Sequence, residues 1–181
     1  MPRRYRRRRY YPIVKSLRTK YSNETYGSII NLTNDTVGNR NYYACPIVPE
    51  IPAGTLGTRK IKNFTLKFKC LPSLQTVGQN DPTIVPTRIL YALVFVPEGL
   101  NPSPINIGSE NQPRSIYEPN QNVILSGLID DEQVYTVKSR LSRNLNSGDR
   151  LYCIFMHLST PIEGTVISGT VNFTCNYAIA F

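Results

Sequence analysis

Apolar and polar residues alternate with a period of two along much of this chain. In NFTLKFKC, Phe64, Leu66, Phe68 and Cys70 alternate with Thr65, Lys67 and Lys69, the pattern of a β-strand with one buried face. The stretch TVNFTCNYAIAF does the same over a longer span. Val171, Phe173, Cys175, Tyr177, Ile179 and Phe181 fall on one side, and Asn172, Thr174, Asn176, Ala178 and Ala180 on the other. RILYALVFV (88–96) is instead a continuous apolar run, which predicts a strand covered on both faces. Further extended segments are predicted at YGSIINLT (26–33), QNVILSGLI (121–129), QVYTVKSRL (133–141) and RLYCIFMHL (150–158), the last two joined by the turn signal NLNSGD. Weaker patterns lie at ACPIVP (44–49) and GTVIS (164–168).

No helical periodicity competes with these strands, and the chain carries five alanines against fourteen prolines and eleven glycines. The prediction is an all-β body of seven to nine strands, a sandwich or barrel with Greek-key connections. Three connections are long: 34–58, 71–87 and 97–120. Structureless loops of that length are uncommon in compact domains and usually carry function. Their Pro, Asn and scattered Ile and Leu suit either contact with a neighbouring subunit or plain surface decoration.

Charge divides the chain in two. The net charge is +9, from 21 basic and 12 acidic residues. Residues 1–20 hold nine basic groups and no acid, so the twelve basic groups of 21–181 balance all twelve acids. The expected organisation is a basic arm, 1–20, on a neutral body, 21–181. A run such as Arg6, Arg7, Arg8 and Arg9 repels itself, which predicts a disordered or extended arm until a polyanion neutralises it. Arginine favours phosphate through its planar fork of donors, and Tyr5, Tyr10 and Tyr11 can each stack on an unpaired base. Together with Arg3, Arg4, Lys15, Arg18 and Lys20, these residues predict non-specific binding of single-stranded nucleic acid. A short arginine block also reads as a nuclear localisation signal, and one segment can serve both ends.

Catalytic chemistry is nearly absent from the pattern. The single histidine, His157, has no cysteine, serine or acid at a telling spacing, so a strand residue with a local hydrogen bond is expected. Asp130, Asp131 and Glu132 read as a solvated turn. No phosphate-binding or dinucleotide-binding glycine loop is present. Cys45, Cys70, Cys153 and Cys175 form no C-x-x-C pair and read as reduced, part-buried thiols. The expectation is therefore no enzyme, no metal and no cofactor. No window approaches the eighteen or so apolar residues of a membrane span, and no apolar run follows the basic start, as a secretory signal requires.

An arginine-rich arm joined to a neutral all-β body is similar to a small viral capsid protein. SIYEPNQNVILSG (115–127), SRLSRNLNSGDRLYCIF (139–155) and the opening MPRRYRRRRYYP resemble the capsid proteins of small circular Rep-encoding single-stranded DNA viruses, the group that includes circoviruses. The resemblance covers most of the chain in layout and is specific in those stretches. It implies a single jelly-roll sandwich of two four-stranded antiparallel sheets, one of whose eight strands the thin pattern at 159–170 leaves unplaced. It implies self-assembly into a T=1 icosahedral shell of sixty copies, with the arms turned inward onto a single-stranded DNA genome. Host nuclear import receptors and an unidentified cell attachment factor would be further partners, without membrane insertion. The implied locations are the virion and the host nucleus. On this reading Lys60, Lys62, Lys67 and Lys69, or Lys138, Arg140 and Arg143, are either basic groups of an inner wall or solvated strand faces. The rival reading is a cellular non-specific single-strand-binding or ribosomal-type protein, which would spread basic residues over its body.

Overall fold

The structure, a computed structural model, describes residues 20–34, 42–48, 57–77, 81–102, 122–130, 133–159 and 164–180. They form ten strands and, among the described residues, no helix. The strands are β1 (Ser22–Asn34), β2 (Tyr42–Pro46), β3 (Arg59–Cys70), β4 (Ser73–Val77), β5 (Thr83–Val85), β6 (Ile89–Val96), β7 (Asn122–Ile129), β8 (Val134–Leu145), β9 (Arg150–His157) and β10 (Thr165–Ala180). One sheet sets β1, β10, β3 and β8 side by side, and β4 and β5 extend it. β4 takes over from β3 along the first residues of β10, pairing Leu74–Val77 with Thr165–Ser168. The other sheet runs β2-β9-β6-β7, and every pairing in both sheets is antiparallel.

The wiring is that of one long hairpin rolled up. β1 pairs with β10, β2 with β9, β3 with β8 and β6 with β7, and successive pairs fall in alternate sheets. This is a jelly-roll sandwich. Three details differ from the sequence reading. The stretch 71–87 is not a structureless loop: it holds β4 and β5, whose short, mixed sequences carry too few residues for alternation to register. GTVIS and TVNFTCNYAIAF are one strand, β10, because Gly169 and Thr170 continue the ladder without a turn. The eighth jelly-roll strand is then β2, and the sheets have six and four strands in place of four each.

The core lies between the sheets. Phe64, Leu66, Phe68 and Cys70 of β3 are buried, as are Val171, Phe173, Cys175, Tyr177 and Ile179 of β10. They meet Tyr91, Leu93, Cys153 and Phe155 from the four-stranded sheet. Aromatic rings join the layers: Phe68 to Tyr91 at 4.6 Å between centroids, Phe68 to Phe155 at 5.7 Å and nearly perpendicular, and Phe155 to Phe173 at 5.1 Å. Tilted and edge contacts of this kind add to the area term because ring quadrupoles oppose face-to-face stacking. The four cysteines are buried thiols, none of them in a disulfide. Cys45 stands opposite Cys153 in the ladder, and its Sγ lies 3.1 Å from the Tyr26 hydroxyl. That hydrogen bond, then burial, pushes the Tyr26 phenol up to about 12. The expectation of a doubly covered strand holds for β6 and extends to β9. Leu90, Ala92, Val94, Val96, Tyr152, Ile154 and Met156 form a second buried cluster on the far face of the four-stranded sheet.

Candidate nucleic-acid interface

The far face of the six-stranded sheet has the opposite character. Along β3 the inward side chains leave Lys67 and Lys69 pointing out, as the alternation of NFTLKFKC requires. Simple alternation would then turn Lys60 and Lys62 inward, since they share parity with Phe64 and Leu66. The structure prevents this at Asn63, which adopts a left-handed φ of 58° and shifts the register against both neighbouring strands. A bulge adds one residue to one strand and so switches which parity faces the core. Asparagine tolerates the left-handed region better than most residues. Ile61 is fully buried on one side of the bulge and Phe64 on the other, and Lys60, Lys62, Lys67 and Lys69 share one face.

The register places the neighbours of these lysines. Asn172, Thr174, Asn176 and Ala178 of β10 lie beside Lys69, Lys67, Thr65 and Lys62 in turn. Lys138 of β8 lies beside Thr65 and joins the same face, and Arg140 follows it, exposed. Arg143 does not join: it is level with buried Ile61, is half-buried, and donates from Nη1 to the Ser142 carbonyl at 3.0 Å. Five lysines thus stand among Asn, Thr and Ser. The acids among the described residues lie elsewhere. Glu24 has the inward parity of Tyr26, Asp130 meets Arg88 at 3.6 Å, and Asp149 holds the β8–β9 turn through Asn146 N–H and the Glu98 N–H. Asp81 and Glu98 flank the ends of β5 and β6. No carboxylate among the described residues points from this face.

Of the residues assigned to nucleic acid from sequence, Lys20 is described, and it is exposed. Arg3, Arg4, Tyr5, Arg6, Arg7, Arg8, Arg9, Tyr10, Tyr11, Lys15 and Arg18 lie outside the described residues. Tyr21, which follows Lys20, was passed over by the sequence reading. Its ring lies under Lys62, with Nζ 3.7 Å from the centroid, a cation–π contact. Ala178, which separates Asn23 from Lys62 in the ladder, is small enough to leave room for it. Tyr21, the residue that follows Lys20, therefore lies on the lysine face.

Other candidate chemistry resolves into structure. His157 is fully buried and bonds far beyond its neighbours. The Ser159 N–H donates to Nδ1 at 3.3 Å, so Nε2 carries the proton and donates to Ser73 Oγ at 2.9 Å. Ser73 Oγ lies 3.0 Å from Thr87 Oγ1, which also accepts from the Ser73 N–H. A serine–histidine contact can serve nucleophilic catalysis, but here both residues have no exposed surface, so no substrate reaches them. Burial pulls His157 down to about 4. Among the described residues no group of three or more His, Cys, Asp or Glu is placed to hold a metal ion, and no helix is long and apolar enough to cross a membrane. No protein-family model and no curated protein sequence matches this chain.

Proposed function

We propose that the protein is a viral capsid protein whose jelly-roll body assembles into a closed icosahedral shell and whose basic arm and lysine face package a single-stranded DNA genome. The observation that carries this reading is the two-sidedness of the sandwich. One outer face presents five lysines with no opposing carboxylate among the described residues, and Tyr21, which follows the nine positive charges of residues 1–20 in sequence, packs on that same face. The other outer face is apolar and buried. A shell that packages a genome needs one side of its wall to meet a polyanion. Phosphate neutralisation by Lys and Arg is independent of base sequence, as packaging a whole genome requires. A T=1 shell of sixty copies is the expected size, and the arginine block suits nuclear import of the subunits.

The test is to compare the full chain with a chain lacking residues 2–20 by negative-stain electron microscopy and by the 260/280 nm absorbance ratio of the same fractions. Uniform closed shells from both, with a high ratio only for the full chain, are expected. Monomers or small oligomers at every salt and protein concentration would replace the capsid reading with that of a cellular single-strand binder. Shells of the truncated chain that carry as much nucleic acid as the full chain would remove the arm from its role.

A further inference from the structure

A groove of about 480 Å³ crosses the lysine face, within the roughly 300–1,000 Å³ typical of small-molecule sites. Its construction follows from the register. One row across the sheet reads Ile29, Asn172, Lys69, Val134, taking β1, β10, β3 and β8 in turn. The next row reads Gly27, Thr174, Lys67. Adjacent strands lie about 4.8 Å apart and the two rows about 7 Å apart. Gly27 opens the cleft because it has no side chain; a Cβ there would already come within 3.3 Å of Thr174 Cγ2.

Each wall offers a different kind of contact. Ile29 and Val134 are 70% and 65% exposed, an unusual state for β-branched apolar residues standing among polar ones. The Asn172 side chain forms the floor, and its Oδ1 is screened from solvent without a hydrogen-bond donor among the described residues. Leaving such a group unpaired is costly, and a donor supplied by a ligand relieves it. Lys67 and Lys69 line the same groove, both exposed. An apolar wall, an unsatisfied amide and paired ammonium groups match the three parts of a nucleotide. The base, above all one with a methyl group, packs on an aliphatic side chain. Its amino or imino edge faces the part-exposed Asn172 side chain, whose amide must turn to bring the screened Oδ1 to it, and the phosphates on either side meet the lysines.

We propose that this groove is a nucleotide subsite of the folded body, taking one unpaired nucleotide of single-stranded nucleic acid with its base between Ile29 and Asn172 and its phosphates on Lys67 and Lys69. The proposal rests on the nucleic-acid reading above and deepens it, because it assigns part of the binding to the body and gives that part a non-ionic component. A polyanion is the occupant that the charge selects: no carboxylate among the described residues points from this face to attract a basic partner.

The test uses the full chain and fluorescein-labelled hexamers of deoxythymidylate and uridylate, read by anisotropy at 300 mM salt, where the arm's ionic contribution is weakened. Ile29→Ser and Asn172→Ala leave the net charge unchanged. Each is expected to weaken binding several-fold at every salt concentration without changing the salt slope. Lys67→Gln with Lys69→Gln is expected to weaken binding about tenfold, and by more than the charge-matched pair Lys60→Gln with Lys138→Gln outside the groove. Thermal melts check that these substitutions leave the fold intact. Uncharged variants that bind like wild type, with the two lysine pairs equivalent, overturn the groove and leave the nucleic-acid reading standing. A full chain that binds neither hexamer at any salt concentration overturns both.

Discussion

A histidine without exposed surface keeps its neutral form only while the network around it suits that form. At His157, Nδ1 accepts from the Ser159 N–H; protonation would turn that acceptor into a donor facing a donor, in a site that already resists charge. The group titrates near its ordinary value of about 6.5 in the unfolded chain and at about 4 in the fold. The unfolded state therefore binds the proton first as pH falls. Stability is level above pH 6.5, declines between 6.5 and 4, and flattens below, a loss of about 3 kcal/mol from this residue. Urea unfolding at pH 7, 6, 5 and 4 should trace that decline, and His157→Gln should flatten it while lowering stability at pH 7. The sequence reading expected a local hydrogen bond here and the Ser159 contact is one. The partner that ties the two sheets, Ser73, stands 84 positions away, and no spacing rule could have named it.

Among the elements, β3 carries the most consequence per residue. Its alternation was legible on the C-terminal side of Asn63 and misleading on the other, because a one-residue bulge leaves no mark in composition. The left-handed conformation of Asn63 is where the register, and with it the lysine face, is set. A β-branched residue there must bear the left-handed penalty of roughly 1–2 kcal/mol or give up the bulge. Asn63→Val should therefore lower stability by about that amount and weaken oligonucleotide binding, since giving up the bulge turns Lys60 and Lys62 toward the core. Asn63→Gly, for which positive φ carries no penalty, should fold and bind like wild type. Chemical denaturation and the anisotropy assay together check the pair. β4 and β5 escaped the sequence reading for a related reason: strands of five and three residues are recognisable only through the ladders of β4 to β10 and of β5 to β4, and the first of these is a long-range fact.

Over the whole molecule the positive charge falls into two sets, nine groups in the arm and five lysines on the sheet. Binding to a single strand should lose affinity with salt at a log–log slope of about −0.7 per neutralised phosphate. Full engagement of both sets gives roughly −10, and of the sheet alone roughly −3.5. Removing residues 2–20 should thus lower the magnitude of the slope by about 6, measured with long oligodeoxythymidylate between 50 and 300 mM salt. A slope that survives the deletion would place the binding charge in the body. The layout also bears on the rival cellular reading. A balanced charge total for residues 21–181 suggested a neutral body, yet the fold gathers lysines on one face and sends the described acids elsewhere, so neutrality in sum is not neutrality in space.

Properties local to the chain were readable before any fold. Period-two patterning marks most strands and their buried sides, and the apolar run at 88–96 marks a doubly covered strand. These follow from side-chain chemistry and a two-residue repeat, which act between neighbours. The pairing of β1 with β10 across as many as 157 positions, from Ser22 to Ile179, the bulge that aligns four lysines, the contact of Tyr21 with Lys62 and the groove between Ile29 and Val134 belong to the other kind. Each depends on which strands lie side by side and in what register. Register is chosen by the packing of the whole core, where a shift of one residue would exchange every inward side chain for an outward one.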